Sequence, residues 1–310
     1  MVKVAVVGVV GRTNAGKSTL VNALVGEKVS IVSPVEQTTR NTVRGIVADS
    51  RGQLVLLDTP GLHKAVNELG RILNRMARRT AAGTDVTCVV FDASQEPQME
   101  DLGWMSRVAR ERPERVVFVL NKADRSPFFE TMFREAWSAA LGEAEGEAPA
   151  AGLPPPAPVW VKCIATAPGG ARPVLDALFG LAADGEPLFD DDIVTDYPRR
   201  LAIADSIREK YLAKMHQEVP HEMGVLVKRI KEERDRWEVA VEVLVNRASQ
   251  KPIVIGRGAT TVKYVRKCAE RELSDVFGVR VELEIWVRVE PNWMKNPRLL
   301  TEMGYMGGLV

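Results

Sequence analysis

The sequence predicts an α/β domain built on a mostly parallel β-sheet, followed by a smaller α+β domain. In the first 183 residues, continuous apolar runs alternate with helix-spaced patterns, as in parallel sheets covered on both faces. Beyond residue 199 the apolar residues alternate strictly in two stretches, which is typical of half-buried strands. The length of 310 residues also fits about two domains.

The first domain is predicted to span residues 1–183. Its apolar runs predict strands at 2–8, 54–58, 87–92, 115–121 and 159–164. Its helix-spaced patterns predict helices at 17–24, 68–82, 99–112, 128–141 and 173–183. A further strand at 43–49 is expected to form an antiparallel hairpin with 54–58 across the turn at 50–52.

Two stretches are expected to lie outside the regular elements. Residues 143–158 are rich in Pro, Ala and Glu, which favours a low-complexity surface loop inserted in the first domain. Residues 184–198 are acidic and are predicted to be a linker. The second domain then spans 199–310, with helix-spaced sets at 203–215 and 262–276, alternating strands at 237–245 and 279–289, and a weaker strand at 223–230.

Charge and cysteine content narrow the function classes. The net charge is only +1, so no overall basic excess indicates a nucleic-acid partner. From residue 199 onward, however, 21 basic residues face 16 acidic ones, a net of +5, so a polyanionic partner is expected to bind the C-terminal half. The three cysteines are far apart, which predicts a reducing compartment without a disulfide framework. Neither a membrane-spanning segment nor a signal peptide is predicted.

The sequence Gly-Arg-Thr-Asn-Ala-Gly-Lys-Ser at residues 11–18 lies between an apolar strand and a helix. This is the context of a phosphate-binding loop, in which backbone N–H groups and a helix N-terminus surround a phosphate chain. Lys17 is expected to reach the β- and γ-phosphates, and the Ser18 hydroxyl is expected to bind Mg²⁺. The alternative is a plain glycine-bearing turn. The predicted nucleotide-binding residues here are Gly11, Asn14, Ala15, Gly16, Lys17, Ser18 and Thr19.

Two further motifs follow strands of the same domain. In Asp-Thr-Pro-Gly at 58–61, Asp58 is expected to help hold Mg²⁺ and the Gly61 N–H to bind a γ-phosphate oxygen. In Asn-Lys-Ala-Asp at 121–124, the Asp124 carboxylate can accept hydrogen bonds from guanine N1–H and its exocyclic amine, which adenine cannot supply. The Lys122 stem is expected to pack over the base. Taken singly, the first motif is equally compatible with an Asx or proline turn, and the alternative for the second is a polar turn after a strand. Asn121, the first residue of the second motif, is also predicted to bind the nucleotide. The two motifs and the phosphate loop together predict a GTP/GDP site.

With these motifs in place, the chain resembles the translation-factor-related GTPases and, within them, the Era family of ribosome-assembly GTPases. The resemblance covers nearly the whole chain. It rests on Gln-Thr-Thr-Arg-Asn at 37–41, Asp-Thr-Pro-Gly-Leu-His at 58–63, Asp-Ile-Val-Thr-Asp at 192–196, Ile-Arg-Glu-Lys at 207–210, Ile-Val-Ile-Gly at 253–256 and Ile-Trp-Val at 285–287. It implies that Thr39 is the switch threonine that completes the Mg²⁺ shell. It also implies that Lys17, Thr39 and Gly61 support hydrolysis. The fifth guanine-binding motif would be Ala165, Thr166 and Ala167.

The resemblance implies that the second domain is a KH domain, whose Gly-x-x-Gly loop clamps about four nucleotides. Here the loop is Gly-Arg-Gly-Ala at 256–259, with alanine where the family has its second motif glycine. Without the resemblance, a plain helix–helix turn would be the alternative. The expected RNA-binding residues are Lys251, Ile255, Gly256, Arg257, Gly258, Ala259 and Lys263. The implied partners are rRNA near the 3′ end of the small-subunit rRNA and the small ribosomal subunit.

The residue after the Asp-x-x-Gly motif is Leu62, which has no polar atom to position an attacking water, so slow intrinsic GTP turnover is predicted. Asn14 is predicted to hold a K⁺ ion beside the phosphates, the alternative being a turn-stabilising role. A constitutive RNA-binding protein with a structural nucleotide domain is the competing function. The apolar tail at 293–305 is expected to pack on the second domain, the alternative being peripheral contact with the inner membrane face. A cytoplasmic monomer is favoured.

Overall fold

The computed structural model describes residues 1–32, 39–61, 68–146, 157–215 and 222–305. The described residues form two compact units. The first lies mostly within residues 1–196, and the second lies mostly within 197–305. Short stretches at 31–32 and 68–72 group with the second unit. Each unit is built around its own β-sheet.

The first unit contains a seven-stranded sheet in the order β2-β3-β1-β4-β5-β6, with β7 paired to the side of β1. Among the strands of the described residues in this sheet, only β2 and β7 run antiparallel to their neighbours, so the predicted mostly parallel sheet is confirmed. The strands are β1 (Val2–Val10), β2 (Val43–Asp49), β3 (Gly52–Asp58), β4 (Val86–Asp92), β5 (Val116–Asn121), β6 (Val159–Lys162) and β7 (Ala183–Gly185).

Helices cover both faces of this sheet, as continuous apolar strands require. The helices are α1 (Lys17–Val25), α2 (Glu68–Ala82), α3 (Met99–Glu111), α4 (Glu130–Gly146) and α5 (Arg172–Leu181). One buried cluster joins the sheet to α1 and α5, for example through Leu20 and Leu178. A second joins it to α2, α3 and α4 through Ala77, Trp104 and Phe133. The buried cysteines Cys88 and Cys163 lie in the first cluster, consistent with core packing.

Two predicted irregular stretches differ from the structure. Helix α4 continues to Gly146, so residues 143–146 are helical and do not belong to the predicted loop at 143–158. Alanine and glutamate are strong helix formers, and here that preference outweighs the low complexity of the sequence. Residues 147–156 of the predicted loop lie outside the described part of the chain.

The predicted linker at 184–198 is largely part of the first unit, which extends to Asp196. Ala183–Gly185 forms strand β7 along β1, with Val4 opposite Ala183. The Gln53 side-chain oxygen then accepts hydrogen bonds from the backbone N–H groups of Leu188 and Phe189, at 2.8 and 3.0 Å. Gln53 is almost fully buried, so these bonds satisfy an amide that water cannot reach. The segment is therefore fixed to the first sheet.

The second unit is a three-stranded sheet with helices packed on it, confirming the predicted α+β domain. Strand β9 lies in the centre, antiparallel to β8 and parallel to β10. Its elements are α6 (Arg199–Lys214), β8 (Gly224–Glu232), β9 (Arg236–Val245), α7 (Gln250–Ile255), α8 (Thr260–Phe277), β10 (Arg280–Val289) and α9 (Pro297–Glu302). Short 3₁₀ turns at Arg257–Ala259 and Trp293–Lys295 connect α7 to α8 and β10 to α9.

The C-terminal tail packs on the second unit, as predicted. Trp293 is fully buried, and its indole N–H donates a 2.8 Å hydrogen bond to the Glu222 carbonyl. A Cβ added at Gly224 would lie 2.9 Å from the Met303 Cε atom and 3.2 Å from the Trp293 ring. The glycine at the start of β8 thus makes room for the tail. No helix among the described residues is long and apolar enough to cross a membrane.

Candidate functional site

The predicted nucleotide motifs of the first unit meet at one edge of its sheet. The phosphate loop follows β1, residues 58–61 follow β3, and residues 121–124 follow β5. In the sheet, β1 lies between β3 and β4, which are joined to it in parallel. Ligands of such sheets bind at the carboxyl ends of the strands where the strand order reverses. The structure brings all three motifs to that position.

The phosphate loop requires glycine at two positions because of close approach and unusual backbone angles. Gly11 has a φ of +146°, and an added Cβ would lie 2.3 Å from the Val90 carbonyl oxygen. Gly16 has a φ of +96°, and its Cβ would lie 2.3 Å from the Asn121 side-chain nitrogen. Side chains at either position would therefore displace a neighbouring strand end. The loop is shaped by β4 and β5 as well as by its own sequence.

Lys17 begins helix α1 and is buried, with 6% of its surface exposed. Its ammonium group donates a 2.8 Å hydrogen bond to the Arg12 carbonyl, so the Lys17 side chain extends back across the loop. Burial lowers the pKa of Lys17 to about 8, while the nearby Asp58 carboxylate opposes that shift. A buried cation of this kind gains strongly from an anionic ligand, which is the role predicted for it.

Three oxygen-bearing side chains predicted to hold Mg²⁺ lie together. The Ser18 and Thr39 hydroxyl oxygens are 2.9 Å apart, within hydrogen-bond distance. Asp58 is fully buried, and neither of its oxygens accepts a hydrogen bond of ordinary geometry from the described residues. Burial raises the pKa of Asp58, against the opposing influence of the Ser18 hydroxyl and the Lys17 ammonium. Two hydroxyls beside an unsatisfied carboxylate form a donor set that suits a hard divalent cation.

The turn after β3 lies directly against the phosphate loop. The Thr59 hydroxyl donates a 2.8 Å hydrogen bond to the Val9 carbonyl and ties this turn to β1. A Cβ added at Gly61 would lie 2.7 Å from the Thr13 backbone nitrogen and 2.9 Å from the Lys17 Nζ atom. Glycine at position 61 therefore allows its backbone to approach the place where a terminal phosphate would lie.

Asn121 ties three segments together and is itself 3% exposed. Its side-chain amide donates a 2.9 Å hydrogen bond to the Ala15 carbonyl in the phosphate loop. Its side-chain oxygen accepts a 3.1 Å hydrogen bond from the Ala165 N–H. The predicted fifth motif, Ala165–Ala167, is thereby brought to the same site, with Ala165 buried and Thr166 exposed. Asn121 thus acts as a brace between predicted nucleotide-binding segments.

The other two members of this motif differ in their surroundings. The Lys122 ammonium donates hydrogen bonds to the Asn14 carbonyl at 3.0 Å and to the Asp92 carboxylate at 2.6 Å. Asp124 lies in the following turn and is exposed. A carboxylate at an open edge of the site is available to a purine base, which is the role predicted for it. Within this motif, Asn121 and Lys122 are therefore held by hydrogen bonds to other segments, whereas the Asp124 side chain is exposed.

An ion-pair cluster beside the phosphate loop escaped the sequence analysis. The Arg12 guanidinium lies 3.3 Å from the Asp92 carboxylate and 3.1 Å from the Asp101 carboxylate, both of which are buried. Asp92 ends β4 and pairs in register with Asn121 at the end of β5. In the sequence, the sign of this cluster is the acidic residue at the end of the predicted strand at 87–92. Its partners come from separate parts of the chain, which sequence spacing alone does not reveal.

The predicted RNA-binding residues surround the loop between α7 and α8 in the second unit. Gly256 has a φ of +78°, and an added Cβ would lie 2.4 Å from the Thr261 hydroxyl oxygen. Gly258 also has a positive φ of +60°, but a Cβ there would have open space. Ala259 has a φ of +61°, the left-handed conformation that its Cβ disfavours. Alanine thus occupies the family glycine position with its glycine-like backbone retained.

Basic side chains border this loop. Lys251, Arg257 and Lys263 are exposed, and Ile255 is partly buried beside the loop. Exposed basic groups next to a glycine-bearing helix junction suit the phosphates of a nucleic-acid strand. No group of three or more His, Cys, Asp or Glu side chains that could hold a metal ion occurs among the residues that the structure describes. The predicted switch residues Gln37, Thr38, Leu62 and His63 lie outside the described residues.

The two units match two protein-family models in the same order. Residues 6–122 match the family described as 50S ribosome-binding GTPase, and residues 218–294 match the KH domain family. The first match covers the phosphate loop, all of β5 and the first two residues of the Asn-Lys-x-Asp motif. The second covers the glycine-bearing loop between α7 and α8. Fold and motifs therefore define a P-loop GTPase domain followed by a KH domain.

Curated relatives extend the similarity over nearly the whole chain. The chain is 34% identical over 303 residues to GTPase Era from Leuconostoc citreum, covering 96% of this chain and 95% of that protein. It is 36% identical over 306 residues to GTPase Era from Xanthomonas axonopodis pv. citri, covering 96% of both chains. The chain belongs to the Era family of GTPases.

Solved structures show the same arrangement of elements. A crystal structure of Era in complex with MgGDPNP and nucleotides 1506–1542 of 16S ribosomal RNA has a TM-score of 0.85 and 30% identity, covering 98% of this chain and 99% of that one. An Era variant from Aquifex aeolicus bound to GDP·AlF₄⁻ has a TM-score of 0.84 at the same identity and coverage. The chain is thus similar to Era proteins solved with a guanine nucleotide.

Proposed function

We propose that this GTPase is a switch that binds rRNA near the 3′ end of the small-subunit rRNA and acts in assembly of the small ribosomal subunit. One observation carries the proposal: the phosphate loop, the Asp-x-x-Gly motif, the Asn-Lys-x-Asp motif and a KH-type loop occur in a single chain. An Era structure similar over 98% of this chain holds both MgGDPNP and nucleotides 1506–1542 of 16S rRNA. We propose that this chain binds the same two kinds of ligand, a guanine nucleotide with Mg²⁺ and the 3′ region of small-subunit rRNA.

In the proposed nucleotide site, the phosphate loop holds the phosphates and the strand-end motifs hold the base. Lys17 neutralises the terminal phosphates, and the Gly61 N–H binds a γ-phosphate oxygen. Lys122 packs over the base, while Asp124 accepts hydrogen bonds from its N1–H and amine. Two hydrogen bonds support this assignment, from the Asn121 amide to the Ala15 carbonyl and from the Ala165 N–H to the Asn121 side-chain oxygen, because they fix the phosphate loop relative to the base-binding turns.

In the same proposal, Ser18, Thr39 and Asp58 hold Mg²⁺. The 2.9 Å separation of the two hydroxyl oxygens and the unsatisfied, buried Asp58 carboxylate support the assignment. When bound, Mg²⁺ neutralises charge on the phosphate oxygens during phosphoryl transfer. The chain's own contribution is to orient the triphosphate between Lys17 and Gly61.

Activation of hydrolysis is the least conventional part of the proposed site. Leu62 has no polar atom with which to position water, so slow intrinsic turnover is expected. We propose that Asn14 holds a K⁺ ion that neutralises developing charge. Asn14 has a φ of +60° in the loop, which the alternative, turn-stabilising role also explains. GTP turnover in K⁺ and Na⁺ at equal ionic strength, with Asn14→Ala as the comparison, separates the two roles. Equal rates in both salts contradict the K⁺ role.

In the proposed RNA site, single-stranded RNA lies along the loop at 256–259. Glycine at 256 and 258 allows close approach of phosphates, and Ile255 offers apolar contact to a base. Lys251, Arg257 and Lys263 supply positive charge, which predicts strongly salt-dependent binding. The exposed positions of these three basic residues support the assignment.

The experiment that tests the function is crosslink mapping on small-subunit rRNA with the full chain bound to a non-hydrolysable GTP analogue. Crosslinks concentrated near the 3′ end are expected, and the double substitution Gly256→Asp with Gly258→Asp is expected to remove them. Crosslinks spread evenly over the rRNA would contradict the assignment. RNA binding independent of nucleotide would instead favour a constitutive RNA-binding protein.

We further propose that the protein works as a cytoplasmic monomer, where ribosomal subunits assemble. Association with the inner membrane face stays a prediction. The tail residues that were candidates for it, Trp293 and Tyr305, are buried in the second unit, at 0% and 4% exposure. Flotation of the purified protein with anionic vesicles would test membrane association directly, and sedimentation would test the monomer.

A further inference from the structure

Asp92 occupies the end of β4, between the two halves of the proposed nucleotide site. One of its carboxylate oxygens accepts a 2.6 Å hydrogen bond from the Lys122 ammonium and lies 3.3 Å from the Arg12 guanidinium. The other accepts hydrogen bonds from the Ser94 hydroxyl at 2.6 Å and the Ser94 N–H at 3.2 Å. A single carboxylate thus contacts the guanine-binding motif and the phosphate loop at once.

Arg12 is anchored on both sides. Besides Asp92, its guanidinium lies 3.1 Å from the Asp101 carboxylate and donates a 3.0 Å hydrogen bond to the Gln95 side-chain oxygen. Asp101 itself lies in the first turn of helix α3 and accepts a 3.0 Å hydrogen bond from the Gln98 N–H. These contacts connect the second residue of the phosphate loop to the β4–α3 segment.

Burial of the Asp92 carboxylate costs free energy unless neighbouring groups compensate its charge. Asp92 is 2% exposed, and a buried carboxylate is stabilised only when cations and hydrogen bonds surround it. Burial alone would raise the pKa of Asp92, but the hydrogen bonds from Lys122 and Ser94 hold it below its ordinary value. The residue is therefore ionised at neutral pH and holds two cations close to the nucleotide site.

We propose that Asp92 is a positioning residue for guanine-nucleotide binding, which acts through Lys122 and Arg12 to hold the phosphate loop and the base-binding turn at a fixed separation. Lys122 also donates a hydrogen bond to the Asn14 carbonyl, and the Arg12 carbonyl accepts a hydrogen bond from the Lys17 ammonium group. Movement of either cation would thus shift a loop carbonyl that helps to shape the phosphate site.

This role rests on the guanine-nucleotide site proposed above, and it adds a residue outside all of its motifs. It predicts that removal of the Asp92 charge weakens GDP and GTP binding alike, since the brace serves both nucleotides. The expected loss for Asp92→Asn is roughly tenfold in affinity, in the range of coupled ion-pair networks. A fluorescent GDP analogue, titrated into the full chain, measures this loss directly.

A double-mutant cycle with Lys122→Met distinguishes positioning from general destabilisation. Methionine keeps an apolar stem over the base but removes the ammonium that Asp92 holds. If Asp92 acts through Lys122, the effect of Asp92→Asn shrinks at least about threefold in the Lys122→Met background. The matched control is Asp184→Asn, which removes an exposed ion pair with Lys3, 3.0 Å long, on the same sheet, and which is expected to leave affinity unchanged.

Equal GDP affinity of the parent and Asp92→Asn would overturn the positioning role alone. The same fractional loss in both backgrounds would also overturn it, since Asp92 would then act independently of Lys122. A parent that binds no GDP would overturn the nucleotide site together with this role. If thermal melting shows that Asp92→Asn does not fold, Asp92→Glu replaces it in the cycle, because it keeps the charge but displaces it by one methylene.

Discussion

Two loops of this chain bring glycine to the start of a helix, and they are held in different ways. In the phosphate loop, side chains from other strand ends bind the carbonyls: Asn121 binds Ala15, and Lys122 binds Asn14. In the loop at 256–259, the Gly256 N–H donates to the Pro252 carbonyl and the Ala259 N–H donates to the Gly256 carbonyl. The first loop is braced from outside, and the second is held within its own turn.

The difference matches the ligands proposed for the two loops. A nucleotide has one fixed shape, so preorganised N–H groups bind it without reorganisation of the loop. A single-stranded RNA varies in conformation, and a loop held by local bonds can follow its backbone more easily. The glycines differ accordingly. A Cβ at Gly11 or Gly16 would strike Val90 or Asn121, which belong to other strands, whereas a Cβ at Gly256 would strike Thr261 of the adjoining helix and one at Gly258 would have open space.

The comparison is tested most strongly by the matched substitutions Gly11→Ala and Gly258→Ala. Alanine at 11 would place a Cβ 2.3 Å from the Val90 carbonyl, so we expect about 3 kcal/mol or more of lost unfolding free energy. At 258 only the positive φ opposes alanine, and about 1 kcal/mol is expected. Urea unfolding of both variants measures the difference, and similar losses would contradict the account.

The base-reading role of Asp124 gives the next largest effect. Asp124→Asn replaces a carboxylate acceptor with an amide, which mismatches the N1–H and amine of guanine. We expect roughly 30-fold weaker GTP binding, the cost of unpaired polar groups, with improved binding of xanthosine triphosphate. Competition titrations with the two nucleotides test this. Equal affinity of the parent for ATP and GTP would show that Asp124 does not read the base.

The buried Lys17 makes nucleotide affinity depend on pH. Its pKa is lowered to about 8 in the nucleotide-free protein, and a bound phosphate chain raises it. Because the raised pKa belongs to the complex, affinity is complete below about pH 8. It falls as the pH rises from about 8 toward the higher pKa of the complex, by at most about tenfold per pH unit. GDP titrations from pH 7 to 10 measure the slope. Lys17→Arg, which stays charged, is expected to flatten it, and an unchanged slope would assign it to another group.

The smallest predicted effect concerns Ala259. Its φ of +61° costs free energy in an alanine but not in a glycine. Ala259→Gly is therefore expected to raise the free energy of unfolding by up to about 1 kcal/mol, offset in part by greater freedom of the unfolded chain. Thermal unfolding checks the direction. A loss of stability would mean that the Ala259 methyl group makes favourable contacts that outweigh its backbone strain.

Sequence reasoning located the regular elements well because apolar patterning is dictated by burial. The predicted strand at 43–49 coincides with β2, and the predicted antiparallel hairpin with β3 forms, with Val43 opposite Asp58. Strand β7 was missed because three residues, Ala-Asp-Gly, carry no alternation from which a strand could be recognised. The predicted helix at 128–141 ends five residues before α4 does, because the last residues of α4 resemble low-complexity sequence.

The candidate site was predictable only in part. The residues predicted to contact a ligand follow spaced motifs, and the structure brings Lys17, Ser18, Thr39 and Asp58 together. The braces are different, because Asp92 has meaning only beside Arg12 and Lys122, which lie 80 and 30 residues away in sequence. Such tertiary partners leave no local pattern.

The central claim is that the nucleotide state of the first unit controls RNA binding by the second. The most direct measurement is fluorescence anisotropy of a labelled RNA with the sequence of the small-subunit rRNA 3′ end. It is titrated with the full chain bound to GDP and to a non-hydrolysable GTP analogue at fixed salt. The account predicts tighter, salt-dependent binding with the GTP analogue, and loss of binding in the Gly256→Asp, Gly258→Asp double variant. Equal affinity in both nucleotide states would contradict it.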